Sequence, residues 1–363
     1  MRMLNLALQG GGSHGAFTWG VLDALLDDGR IGFEGLSGTS AGAFNAVALA
    51  SGWATAEAAG RDPREGARAK LDACWSRVSG WGSLGTLQQQ FLRFLWGGLP
   101  HLSPYQANPL GINPLRDLLE AEIDFGAIAG HRELKVFVSA THVTTGKAVV
   151  FTGKRLDAAA VLASACLPML FQAVEIDGEA YWDGGYSVNP ALSPLTTECR
   201  TADMMLVQIN PVALRKAPRT TAGIQDRVSE LTFNASLLTQ MRAIDFINRL
   251  VAEGAVSHPG CKAVRVHRVD GGPAMEDFPA ATRGSSDSAM IGKLFRTGQE
   301  AGKAWLQQHY AAIGQRGTVD IRRDYLDDTR LELPVPAESP VRRLIVPRFK
   351  PWLARLLRRQ APR

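Results

Sequence analysis

The sequence predicts an α/β fold with helices on both faces of a parallel sheet, and two observations carry this. From Leu4 to Ala50 one order occurs twice: apolar strand, glycine turn, helix. Further along, apolar runs at Leu134–Thr141, Met204–Ile209 and Val264–Val269 alternate with helical stretches, as expected of strands buried on both faces. The chain has 363 residues, 45% hydrophobic and 21% charged, which is ample for a large core. Length alone suggests about two domains of roughly 150 residues each. The order of the motifs favours one α/β domain over 1–330 and a Pro- and Arg-rich tail over 331–363.

Leu4 to Leu8 reads as a buried first strand, Gly10 to Gly15 as a turn, and Ala16 to Leu26 as a helix with apolar residues at helical spacing. Phe33 to Ser37 is a second strand and Ala43 to Ala50 a helix of small residues. Arg64 to Val78 reads as a surface helix. The stretch 80–114 mixes Gly and Pro with Trp81, Phe91, Phe94 and Trp96, and reads as an apolar loop-and-helix cap. Strands follow at Leu134–Thr141 and Ala148–Thr152, then a hairpin over Val174–Trp182 turning at Asp177-Gly178. Beyond the strand at Met204–Ile209, Ile224 to Val256 forms a long amphipathic helix with Val228, Leu231, Leu238, Met241, Ile244 and Leu250 on its faces. A late strand (Val264–Val269) and a late helix (Ser288–Tyr310) complete the body.

The formal net charge is +5, but no acid follows Glu338, while eight basic residues do, which leaves the body at −3. Nucleic-acid binding by the body is therefore not expected. Cys74, Cys166, Cys199 and Cys261 lie far apart without CxxC spacing. They read as reduced thiols in a cytoplasmic setting, with no metal site among them. The run Gly35–Ala56 is uncharged but too rich in Gly, Ser, Thr and Asn for a membrane span. In the tail, Trp352, Leu353, Leu356 and Leu357 share a helical face opposite Arg355, Arg358 and Arg359. Such a segment, over 341–359, suits peripheral contact with an anionic inner membrane face.

Gly38-Thr39-Ser40-Ala41-Gly42 follows a strand and precedes a helix. A serine on a tight strand-to-helix turn needs small residues two positions away on either side, and it gains an exposed hydroxyl over a helix N-terminus. Ser40 is thus the candidate nucleophile, with Gly38, Thr39, Ala41 and Gly42 as its elbow. Gly10-Gly11-Gly12-Ser13-His14-Gly15 ends the first strand, and its bare backbone suits an oxyanion hole built from Gly10, Gly11, Gly12 and Gly15. The same run satisfies GxGxxG, and Glu34 lies near the distance of a ribose-binding acid. That dinucleotide reading needs the acid at the end of the second strand, where the serine elbow sits instead. For a base, Asp183, followed by Gly184-Gly185, is an acid presented at a turn. A triad of Ser40 and Asp183 with His258 or His267 also has an admissible chain order.

Together these motifs resemble the patatin-like phospholipase family over roughly 4–210. Ala163-Ser164-Ala165-Cys166-Leu167-Pro168 and Asn189-Pro190 add to the likeness. The resemblance implies a three-layer α/β/α sandwich with a mostly parallel central sheet. It also implies a Ser–Asp dyad of Ser40 and Asp183 without a histidine, an oxyanion hole at Gly10–Gly12, and no cofactor. The expected substrates are lipid or acyl esters: phospholipids, lysophospholipids or acylglycerols. Thioesters, hydroxyalkanoate oligomers and lipid binding without turnover are the alternatives on the same fold. The family usually has Lys or Arg where this chain has His14, which raises the question of whether His14 supplies the charge.

Overall fold

The computed structural model describes residues 1–83, 102–214, 216–256 and 260–326. Among these, eight strands form one sheet: β1 (Arg2–Leu8), β2 (Ile31–Thr39), β3 (Lys135–His142), β4 (Ala148–Phe151), β5 (Val174–Ile176), β6 (Glu179–Asp183), β7 (Asp203–Gln208) and β8 (Arg265–Asp270). The helices are α1 (Gly15–Asp28), α2 (Ala41–Ala58), α3 (Pro63–Ser83), α4 (Pro104–Ala107), α5 (Pro114–Glu122), α6 (Phe125–Gly130), α7 (Ala158–Ser164), α8 (Ser193–Thr197), α9 (Thr221–Ala252) and α10 (Ser288–His309). The order β3-β2-β1-β7-β8 is parallel throughout, while β4 and β6 pair antiparallel with β3, and β5 pairs antiparallel with β6.

The period-2 alternation of strand side chains divides the core into two layers. On one face Leu4, Leu6 and Leu8 of β1 and Met205 and Val207 of β7 pack with Phe17, Val21 and Leu22 of α1, Leu49 of α2, Trp75 of α3 and Leu294 of α10. On the other face Ala7, Met204, Leu206 and Val266 pack with Leu195 of α8 and with Leu237, Met241 and Ile244 of α9. The expected sandwich with a mostly parallel sheet is therefore the observed fold.

One sheet detail positions the site. Ser139 pairs with Thr39 on one side and Val150 on the other, and the following Ala140 pairs with Asp183 and Val149. So β6 takes over the edge of β3 that β2 leaves, and Asp183 comes in beside the point where the chain departs for Ser40. The β5–β6 turn is the expected hairpin, with Asp177 and Gly178 both at positive φ (53° and 80°).

The long helix differs from its sequence reading. Phe233, Asn234, Leu237, Met241 and Ile244 are its buried residues, while Val228 and Leu231 face outwards. Helical periodicity finds an apolar face but does not distinguish one that meets the sheet from one left to a groove. Most of the 80–114 cap and the whole 331–363 tail lie outside the described residues, as does His258. No described helix is long and apolar enough to cross a membrane.

Candidate active site

β2 ends at Thr39 and α2 begins at Ala41, so Ser40 alone makes the turn, at φ 54° and ψ −123°. For a residue with a Cβ this conformation costs about 1–3 kcal/mol and persists only where its surroundings enforce it. The enforcement is visible. A Cβ on Gly38 would lie 2.4 Å from the Gly42 carbonyl oxygen, and one on Gly42 would lie 2.1 Å from that of Leu8. The Ser40 N–H donates to Ser164 Oγ (2.8 Å), whose own hydroxyl donates to the Ser139 carbonyl (2.7 Å). Thr39 is pinned by its hydroxyl to Ser139 Oγ (2.6 Å) and to the Val188 carbonyl (3.1 Å). Ala41, the first residue of α2, packs against Gly15 so closely that a Cβ there would come within 2.7 Å of its methyl.

Asp183 is 1% exposed. Its Oδ1 accepts the Gly185 N–H (2.8 Å), and its own N–H and C=O are held by the Cys166 carbonyl and the Thr141 hydroxyl (2.8 Å each). Oδ2 has no hydrogen-bond partner among the described residues; the Ser40 hydroxyl influences the carboxyl without meeting that geometry. Burial pushes the carboxyl up to about 7, against the opposing pull of the Gly185 N–H and the Ser40 hydroxyl. Both glycines after Asp183 are packing requirements: a Cβ on Gly184 would lie 2.2 Å from the Ser139 carbonyl oxygen, and one on Gly185 2.1 Å from the Phe233 ring.

The glycine loop arches over Ser40, with the position of a Gly10 Cβ 2.8 Å from the Ser40 Cβ. Its four glycines are not equivalent. The Gly10 N–H is already donated to Asn189 Oδ1 (2.7 Å), and the Gly15 N–H is taken by the 3₁₀ turn at Gly12–His14. Only the N–H groups of Gly11 and Gly12 lack an acceptor among the described residues, so the expectation of four donors narrows to these two. Gln9 braces the loop, its Oε1 accepting the Ile209 and Asn210 N–H groups (3.0 and 2.9 Å). Asn210 also donates to the Gly10 carbonyl (3.0 Å).

His14 does not supply a charge. It is 2% exposed, bonded to Thr282 Oγ1 (2.8 Å), and held neutral because burial and then the nearby Arg283 push its pKa down to about 3. The cation beside the loop is Arg283, on the 3₁₀ turn Ala280–Gly284. Its backbone lies against Gly12, where a Cβ would come within 2.3 Å of the Arg283 carbonyl oxygen. The Arg283 Nε is buried without a partner among the described residues.

Among the described residues, the rival arrangements through His267 and Glu34 are not assembled. His267 is wholly buried and bonded to Asp203 (3.0 Å), at the start of β7 and the end of the sheet away from Ser40. Glu34 accepts the N–H groups of Arg200 and Thr201 (2.8 and 2.7 Å), so its carboxylate is occupied far from the glycine loop. No described cluster of His, Cys, Asp or Glu could hold a metal ion. Cys74, Cys166 and Cys199 are buried free thiols, and Cys261 is an exposed one.

The match of residues 6–195 to the family model for patatin-like phospholipases covers more than half of the chain. The chain belongs to the patatin-like phospholipase family. Membership implies lipid acyl hydrolysis, with lipids or esters as the substrate class. No curated protein matches the chain. Among solved structures it is similar to VipD from Legionella pneumophila, at 15% identity and a TM-score of 0.41, over 85% of this chain and 67% of that one.

Sequence reasoning singled out Ser40 and Asp183 because each lies in a short glycine motif. It missed Ser164 as the acceptor for the Ser40 N–H, and it missed Arg283, Asn210 and Gln9, which no local pattern marks.

Proposed function

We propose that Ser40 and Asp183 act as a dyad that hydrolyses the carboxylic esters of phospholipids, lysophospholipids or acylglycerols through an acyl-enzyme. One observation carries the reading: a fully buried carboxyl with a pKa of about 7 and a free Oδ2 flanks a serine held in a strained turn. An aspartate at its ordinary pKa of about 4 is a poor base for a hydroxyl, and one near neutrality is well matched to it. In this mechanism Oδ2 takes the Ser40 proton as Oγ attacks the ester carbonyl, and the acid then returns it to the departing alcohol. A water that gives its proton to the same carboxylate releases the fatty acid. The developing oxyanion is met by the Gly11 and Gly12 N–H groups and by the N-terminus of α2, with Arg283 adding positive field from behind the loop. No metal takes part in the scheme.

The basic segment 341–359 adds a peripheral contact with an anionic membrane face. Esters of other kinds, namely thioesters and hydroxyalkanoate oligomers, would use the same chemistry; a lipid-binding protein without turnover would not need the strained Ser40.

A panel of dispersed phosphatidylcholine, lysophosphatidylcholine and diacylglycerol, with an acyl thioester and a hydroxybutyrate oligomer beside them, tests the reading. Release of fatty acid from the lipids, reduced at least about a thousandfold in both Ser40→Ala and Asp183→Asn, is expected. Turnover surviving in Ser40→Ala, or confined to the thioester or oligomer, would overturn it.

A further inference from the structure

A groove of about 290 Å³ opens between Tyr186 and the first half of α9, lined by Ile224, Val228, Ser229, Thr232 and Phe233 among others. We propose that this groove is the subsite for the acyl chain of the substrate. The proposal rests on the esterase reading above.

Three observations support it. The groove adjoins the turn that follows the candidate base. Gly185, whose N–H holds Asp183 Oδ1, lies directly under the Phe233 ring, and Tyr186 follows it in the same 3₁₀ turn with its ring 5.7 Å from that of Phe233. A chain lying in the groove would therefore run against Tyr186 and Phe233, next to the turn that holds the Asp183 carboxyl.

The lining is also chemically suited to hydrocarbon. It contains no charged residue. The one hydroxyl on its α9 wall with an assigned partner, that of Thr232, is spent on the Val228 carbonyl of its own helix (2.9 Å). A wall without charge offers nothing to a lipid headgroup or an acidic peptide, and hydrophobic grooves with few polar groups suit acyl chains.

Finally, the apolar side chains there are exposed: Ile224 by 47%, Val228 by 57% and Tyr186 by 45%. Ile224, Val228 and Thr232 recur at i, i+4 and i+8, so they form one stripe along the helix, on the side not used to cover the sheet. Exposed apolar side chains gathered along one groove are a feature of ligand-binding surfaces.

Binding measured without turnover separates this proposal from the esterase reading. The full-length Ser40→Ala protein is titrated calorimetrically with hexylphosphocholine and decylphosphocholine, each below its micelle concentration. Each methylene fully removed from water tightens binding about fourfold, so the decyl ligand is expected to bind at least tenfold more tightly than the hexyl ligand. Val228→Trp, which fills the groove from an exposed position and leaves the core intact, should abolish that advantage, and Val228→Leu should retain it. A decyl advantage that survives Val228→Trp, or binding seen only with vesicles and never with monomers, would overturn the proposal. Loss of ester turnover in the wild type would count against the esterase reading and leave this binding result standing.

Discussion

Asp183→Asn is expected to stabilise the protein, by an amount that grows with pH. Asp183 is buried, and its pKa is raised from 3.8 to about 7. The folded state thus binds the proton more tightly than the unfolded chain does. Between those two values the unfolded chain is ionised while the folded carboxyl stays protonated, so folding takes up a proton. Stability from this group is therefore present at low pH and is lost as pH rises through about 7. Worked from the two pKa values, ionisation at Asp183 costs the fold about 2 kcal/mol at pH 5 and about 4 kcal/mol at pH 8. Asparagine keeps the acceptor for the Gly185 N–H and removes the ionisation. Any cost of its amide group does not depend on pH and cancels in the comparison. Urea unfolding of both proteins at pH 5 and pH 8 gives the double difference. The variant should gain about 2–3 kcal/mol on the wild type between the two pH values. A gain below about 1 kcal/mol, or one of opposite sign, would refute the claim that Asp183 is a desolvated acid titrating near neutrality.

Further expectations follow from the same geometry. If Asp183 is the base, kcat/KM should fall tenfold per pH unit below about 7 and level off above it; a flat profile from pH 5 to 8 would remove it from that role. Ser164→Ala leaves the Ser40 N–H and the Ser139 carbonyl without their shared partner, so it should cost about 1–3 kcal/mol in unfolding experiments and lower kcat, with Ser164→Thr restoring part of both. Although burial alone would raise it, the Asp203 carboxyl is held well below the ordinary range by His267, Arg265 and the Gly314 N–H. It therefore contributes stability above about pH 4 that is lost as pH falls further, and Asp203→Asn should flatten the acid limb of the stability curve. Truncation at Pro340 should abolish sedimentation with anionic vesicles, since it removes the basic segment 341–359; undiminished binding would refute a membrane role for the tail.

The first half of the fold was legible because its signals are local. The Leu4–Leu8 run, the 3.6-residue spacing after Gly15 and the small-residue helix after Ser40 each declare an element without reference to the rest of the chain. The second strand is longer than its sequence suggests: β2 extends from Ile31 to Thr39 instead of Phe33 to Ser37, with Gly38 and Thr39 paired to β3 despite their turn-like composition. The exchange of β6 for β2 along the edge of β3 is a property of topology, and no window of sequence contains it. The same division holds for the site. Ser40 and Asp183 stand in glycine motifs whose spacing follows from close backbone approach. Ser164 lies 124 residues from Ser40 in sequence, and Asn210 lies 200 from Gly10. Arg283 arrives from a turn near α10, and only the folded chain sets it against Gly12. The charge question at His14 was asked correctly from sequence, but the answer depends on burial, which residue type alone does not give.

The central claim, an activated Ser40, is tested most directly by intact-mass labelling with a fluorophosphonate on the wild type, Ser40→Ala and Asp183→Asn side by side. One adduct is expected on the wild type, none on Ser40→Ala, and strongly slowed labelling of Asp183→Asn. Wild-type protein that is folded yet unlabelled, or an adduct that persists in Ser40→Ala, would contradict it.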